Sequence, residues 1–210
     1  MQNFLFDVDG TLLDSEKMYM LAMQQALDET GRHFEYERLA QTFGTTGKIA
    51  FQQLGIPDDE IPGLIDIWQN YTKSTYDTMR IYPGIEAVLQ QLHENPRLTT
   101  AIVTSKLAPE YQRDLVTNFP LDQFMDGHVT ADEVQRGKPA PDSLQLALAK
   151  LKLMPNQTIY IGDTIYDLQA AHAAGLTFGL ATWGGPKAQS LIRDSDEVLD
   201  QPHDLLNLIG

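Results

Sequence analysis

The stretch FLFDVDGTLLDSE, residues 4–16, decides how the rest of the chain is read. Three apolar residues, Phe4, Leu5 and Phe6, lead into two carboxylates, Asp7 and Asp9, and Gly10 follows at once. An apolar run ended by a glycine turn predicts a short buried strand over residues 3–8. In open α/β sheets, ligands bind beyond the carboxyl ends of the strands, and Asp7 lies at such an end.

From Ser15 the period changes. Met18, Leu21, Ala22, Met23, Ala26 and Leu27 recur at helical spacing until Thr30-Gly31. Helical signals continue through residues 35–43, 46–54 and 58–79, with no strand signal. After Pro83-Gly84 the pattern alternates. Helices are predicted at 85–93, 108–117, 144–153 and 165–174, and strands at 99–104, 127–130, 158–161 and 176–181. Strand–helix alternation with short connections implies parallel β-α-β units. The opening strand can bury its faces only by joining that sheet. The expected fold is therefore α/β, a doubly wound, Rossmann-like parallel sheet carrying an inserted all-α cap. Residues 1–13 and 82–210 form the expected core, and residues 14–81 the insert.

Composition narrows the function. The chain has 210 residues, 42% hydrophobic and 21% charged, which suits a folded core. Its formal net charge of -14 repels nucleic acid and anionic membranes, so neither is an expected partner. The absence of cysteine excludes disulfides, thiolate metal sites and a cysteine nucleophile. No basic leader or membrane-length apolar run is read, so the expectation is a cytoplasmic protein, monomeric by default.

Other strand ends carry further polar groups. Thr104 and Ser105 follow the strand at 99–104, Asp163 follows "TIYIG", and Lys138 stands in "RGKPAPD" before a helix. Asp7 and Asp163, from separate strands, suit a hard cation such as Mg2+. Lys138 adds positive charge, and Thr104 and Ser105 offer a hydroxyl and N–H donors. Phosphoryl transfer needs this positioning and charge neutralisation, with a carboxylate as nucleophile. Asp9 stands where it can carry a proton to the leaving group.

With "DVDGT", "VTS", "GKPAPD" and "GDTIYD" in that order, the chain resembles the haloacid dehalogenase superfamily, in the helical-cap subfamily of phosphoglycolate phosphatases and β-phosphoglucomutases. The resemblance covers the whole chain and implies a Mg2+-dependent phosphatase acting on a small phosphorylated metabolite. Asp7 is implied as nucleophile and metal ligand, and Asp9 as general acid and base with its carbonyl on the metal. Gly10 and Thr11 are implied to shape the turn beside the phosphate, which Thr104 and Ser105 bind. Lys138 is implied to pair with Asp7 and the phosphate. Asp163 is implied as a metal ligand, with Asp167 in or near the outer shell.

The alternative is a phosphomutase. Mutases of the subfamily carry His where this chain has Tyr19, and Arg where it has Gly47 beside Lys48. Dehalogenases and phosphonate-cleaving relatives lack an acid at the position of Asp9, which argues against both. A non-catalytic binder on the same fold would show degraded motifs, and none of the four is degraded. Tyr19, Thr45, Thr46 and Lys48 are the cap candidates for substrate contact.

Plainer readings hold elsewhere. Asp14 and Ser15 read as caps of the first insert helix, and Asp142 as a helix N-terminal residue. The five histidines lack ligand spacing, and Asp194 to Asp200 reads as a solvated edge.

Overall fold

The computed structural model describes residues 1–210, apart from the side chains of Pro186, Lys187 and Gln189. The chain forms two compact units. One joins Met1–Leu12 to Ile81–Gly210, and the other is Leu13–Arg80.

In the first unit a six-stranded sheet is built from β1 (Asn3–Phe6), β4 (Thr99–Val103), β5 (Gly127–Val129), β6 (Thr158–Gly162), β7 (Thr177–Ala181) and β8 (Glu197–Leu199). The order is β5-β4-β1-β6-β7-β8, and every neighbouring pair is parallel. β1 is therefore central and covered on both faces, which explains why Phe4, Leu5 and Phe6 form a continuous apolar run, each fully buried. Side chains alternate across the sheet. Leu5, Ala101, Val103, Tyr160 and Phe178 point into one apolar cluster, shared with Leu144 and Ala147 of α7 (Asp142–Leu151) and Leu168, Ala170 and Ala171 of α8 (Ile165–Ala174). The intervening residues Phe4, Phe6, Ile102, Ile159 and Ile161 are equally buried. Helix α5 (Ile85–His93) packs against β4 and buries Ile85, Val88, Leu89 and Leu92. The doubly wound α/β sheet expected from the alternating pattern is the fold observed.

The second unit is helical. It contains α1 (Glu16–Glu29), α2 (Tyr36–Ala40), α3 (Gly47–Gln53) and α4 (Ile61–Thr75). Long helices α1 and α4 pack together around Met18, Met23, Leu27 and Trp68. The Trp68 indole donates to the Tyr19 carbonyl at 3.1 Å, and its ring meets Tyr19 and Phe51 at 5.5 and 6.0 Å between centroids.

Three details depart from the sequence reading. The two-residue strands β2 (Leu13–Asp14) and β3 (Arg80–Ile81) pair with each other, although no strand was expected there. Such a pair is too short to carry a period-2 signal. Residues 108–117 are not one helix. A single turn, α6 (Ala108–Tyr111), passes into a wider π-helical segment, Gln112–Asn118. Finally, Glu197–Leu199 form β8, within the stretch read as a solvated edge. Only Leu199 of the three is buried, as befits an edge strand.

Candidate active site

β1 and β6 run side by side with Phe6 opposite Ile161, and the Asp7 N–H donates to the Ile161 carbonyl at 2.8 Å. β4 flanks β1 on the other side with Phe6 opposite Ile102. Asp7, Thr104 and Asp163 thus leave adjacent strand ends, beside the point where the strand order reverses.

The geometry centres on Lys138, whose peptide to Pro139 is cis. Its side chain is 2% exposed, and the ammonium reaches Asp7 Oδ1 at 2.8 Å, Asp167 Oδ1 at 2.6 Å and Tyr160 Oη at 2.9 Å. These three contacts match the three donors of an ammonium. Tyr160 Oη also lies 2.9 Å from the Val103 carbonyl and 3.1 Å from Asp167 Oδ1, so the hydroxyl is fixed from both sides. Asp167 opens α8. Its Oδ2 accepts from the Thr164 N–H at 3.0 Å and from the Thr164 hydroxyl, while Thr164 caps the helix in return. Asp167 is therefore both the helix-terminal acid and the partner of Lys138.

Ligand oxygens of Asp7, Asp163 and Asp167 lie within 4.8 Å of one another. Burial pushes the Asp7 carboxyl up to about 7, against the pull of Lys138. Asp163 is pushed well above the carboxylate range by burial and then by Asp167 and Asp7. For Lys138, burial favours the neutral amine, but Asp167 and Asp7 outweigh it and hold the ammonium charged. Asp7 and Asp167 thus share one ammonium, and half-buried Asp163 stands beside them with no contact to it. An all-oxygen donor set short of positive charge fits a hard divalent cation, and the cluster contains no histidine.

The turn after Asp7 is shaped by Gly10, whose φ of +86° suits glycine alone. A Cβ there would meet the Asp163 carboxylate, so the glycine lets the two loops touch. The Thr11 hydroxyl donates to Asp163 Oδ1 at 3.4 Å, and the Thr11 carbonyl accepts from the Trp183 indole at 2.8 Å. Thr104 is buried, and its Oγ1 accepts from the Lys106 N–H at 3.1 Å. Ser105 is half-buried between them.

Sequence reading passed over three residues. Tyr160 lies within the strand predicted at 158–161, which gives it no role, yet its hydroxyl touches Lys138. Lys106, next to the singled-out Thr104-Ser105, is 1% exposed and lies 2.9 Å from Asp9 Oδ1 and 2.9 Å from Asp114 Oδ2. Asp114 is fully buried, and Arg113 binds it from the other side at 2.6 Å. The only available signal was a lysine directly after a strand-end Thr-Ser pair.

Asp142 begins α7 and pairs with Arg136 at 2.7 Å, in keeping with the plain reading. In the helical unit, Tyr19 is buried against Trp68, the Thr45 hydroxyl donates to the Thr42 carbonyl at 2.8 Å, Thr46 precedes α3, and Lys48 is exposed on it.

A parallel α/β sheet with carboxylates, a lysine and a cation-compatible cluster at its central strand ends defines a class of enzyme built to handle anionic groups. The chain belongs to the haloacid dehalogenase-like hydrolases, whose family profile matches residues 4–181. It is 29% identical over 210 residues to a phosphoglycolate phosphatase of Aquifex aeolicus, covering 100% of this chain and 97% of that one. It is 27% identical to the pyrophosphatase PpaX of Bacillus pumilus, over 98% of this chain and 95% of the relative. The solved structure of a candidate phosphoglycolate phosphatase from Lactobacillus plantarum superimposes with a TM-score of 0.90, at 32% identity and 99% coverage of both chains. The protein is thus a hydrolase of a family whose relatives are phosphatases. Among the described residues, no helix is long and apolar enough to cross a membrane.

Proposed function

We propose that the protein is a Mg2+-dependent phosphatase that hydrolyses a small phosphomonoester through an aspartyl-phosphate on Asp7. The observation that carries this reading is the buried Lys138 ammonium 2.8 Å from Asp7, with Asp163 and Asp167 beside it. Asp7, Asp163 and the Asp9 carbonyl would hold Mg2+, with Asp167 behind them. The cation would supply charge neutralisation for the phosphate oxygens.

The chain's own residues carry the chemistry. An Asp7 oxygen forms a bond to phosphorus while the phosphorus–leaving-group bond breaks. Asp9 gives its proton to the leaving oxygen. Water then attacks the phosphorus, Asp9 takes the water's proton, and the bond to Asp7 breaks to release inorganic phosphate. Lys138 holds Asp7 in place and offsets the charge of the arriving phosphate. Gly10, Thr11, Thr104 and Ser105 shape the phosphate-binding loops. The helical unit acts as the cap that selects substrate, with Tyr19, Thr45, Thr46 and Lys48 as its contacts. The protein works in the cytoplasm as a monomer.

The mutase reading loses support at Gly47. A Cβ there would stand 2.5 Å from the Trp68 ring, and Trp68 is itself tied to Tyr19. The position has no room for the arginine that mutases carry.

The test is a panel of phosphoglycolate, sugar phosphates and pyrophosphate, assayed with Mg2+ and with chelator, together with acid-quench mass spectrometry of the enzyme. Turnover of at least one phosphomonoester, with a phosphoryl group trapped on Asp7, is expected. Turnover confined to pyrophosphate would overturn the substrate class, and a label on another residue the mechanism.

A further inference from the structure

We propose that Lys106 is a positioning residue for Asp9, held in place by Asp114 and Arg113. The proposal rests on the reading of Asp9 as the proton carrier.

The four side chains form a line of alternating charge. Asp9 Oδ1 lies 2.9 Å from Lys106 Nζ, which lies 2.9 Å from Asp114 Oδ2. Asp114 in turn takes Arg113 Nε at 2.6 Å and its terminal nitrogen at 3.1 Å. Burial works against the Asp114 carboxylate, but Lys106 and Arg113 outweigh it and hold it low. The Lys106 backbone is pinned as well. Its N–H donates to Thr104 Oγ1, and its carbonyl accepts from the Ala131 N–H at 2.9 Å. The Glu110 carboxylate feels the charge of the same lysine, while its Oε2 accepts from the Leu107 N–H at 2.8 Å.

Charge balance alone does not require this arrangement. The Asp9 side chain is 13% exposed, whereas Lys106 is 1% exposed and Asp114 is fully buried. Taking an ammonium and a second carboxylate out of water carries a desolvation penalty, and replacing a buried ion pair with well-packed apolar residues is often neutral or stabilising. What the buried pair adds is a fixed point. The ammonium is anchored from its far side, so it sets the direction of the Asp9 carboxylate toward the oxygen that must be protonated. A misplacement of about 1 Å at such a group costs about 10²-fold in rate.

The test measures phosphorylation of Asp7 by acid-quench mass spectrometry in the full-length protein with Mg2+. The probes are phosphoglycolate, whose leaving group is an alkoxide, and acetyl phosphate, whose leaving group needs little protonation. Asp9→Asn is the reference variant. Lys106→Met is expected to be about 10²-fold slower with phosphoglycolate but within about threefold of wild type with acetyl phosphate, matching the pattern of Asp9→Asn. Lys106→Arg should recover part of the phosphoglycolate rate. If Lys106→Met fails to fold, the double variant Lys106→Met/Asp114→Leu, which leaves no unpaired Asp114, carries the same readout. Equal losses on both substrates would show Lys106 to be structural only, and no loss would show it idle. Either overturns the proposal. An Asp9→Asn variant that does not separate the two substrates overturns the role of Asp9 itself. Where wild type turns over a sugar phosphate instead of phosphoglycolate, that alkyl phosphate takes its place as the alkoxide probe, and a wild type labelled by acetyl phosphate alone or by no probe overturns the phosphomonoesterase reading on which the proposal rests.

Discussion

The Lys138 ammonium lies 2.8 Å from Asp7 Oδ1, and both side chains are almost wholly buried. The same ammonium serves Asp167 at 2.6 Å, so one lysine balances acids from a strand end and a helix start.

Lys138→Ala is expected to leave Asp7 and Asp167 buried without that cation. Breaking a buried ion pair from one side costs about 3–5 kcal/mol, and loss of a charge-stabilising donor lowers turnover by about 10²–10³-fold. Circular dichroism melting and steady-state kinetics measure both. Near wild-type turnover would remove Lys138 from the site.

A divalent cation is expected to stabilise the protein as well as activate it, because it supplies charge that the cluster of Asp7, Asp163 and Asp167 lacks. A ligand at 100 times its dissociation constant adds about 2.7 kcal/mol. Chelator-treated protein should melt lower and recover with MgCl2, whereas Asp163→Asn should respond much less. The same shift in both proteins would place the cation elsewhere.

The parts of this site legible in the sequence were those with local signals. Asp7 ends an apolar run, Asp163 ends the strand "TIYIG", and Lys138 sits between glycine and proline before a helix. Lys106 had no such signal, because its burial arises from Asp9, 97 residues earlier, and from Asp114 on the following segment. Tyr160 has the alternation of a core strand residue, and only the sheet register puts its hydroxyl on Lys138. β8 was hidden for a different reason. Its three residues lie among acids, and an edge strand with one buried side chain has almost no apolar pattern.

Asp196 supplies a pH dependence of stability. Burial works against its carboxylate, but the Phe178 N–H at 2.8 Å and His172 at 3.0 Å outweigh it and lower it below the ordinary value of 3.8. A depressed folded value means that its contribution is present above the unfolded value and is lost as pH falls through the folded one. The group is nearly half exposed, so the contribution is about 1 kcal/mol or less. Asp196→Asn should lower the melting temperature at pH 7, and the gap to wild type should close as pH falls below the ordinary carboxylate value of 3.8. A gap that persists in acid would show the effect to be packing instead of charge.

Gly47 reports on the packing of the helical unit. Gly47→Ala would set a methyl group against the Trp68 ring, which must shift while its indole remains tied to the Tyr19 carbonyl. Overpacking of this kind costs about 1–3 kcal/mol. In a Trp183→Phe background Trp68 is the sole tryptophan, and its emission should change with the substitution. An unchanged spectrum and melting temperature would mean that the ring moves freely there.

Gly10→Ala separates backbone strain from collision at the site. Gly10 has φ of +86°, and Gly175, just after α8, has φ of +73°. Alanine at either position meets a left-handed conformation, costing about 1–2 kcal/mol. The surroundings differ. A Cβ at Gly175 meets nothing within 4 Å, whereas one at Gly10 would fall on the Asp163 carboxylate, 2.7 Å from Oδ1. Asp163 would have to turn away, taking its oxygens from the cluster with Asp7 and Asp167. Both variants should melt lower to a similar extent in chelator. With MgCl2, Gly175→Ala should regain wild-type turnover and the full stabilising shift, while Gly10→Ala should lose most of both. If the two variants respond alike to the cation, the Gly10 turn does not place Asp163, and the glycine serves backbone geometry alone.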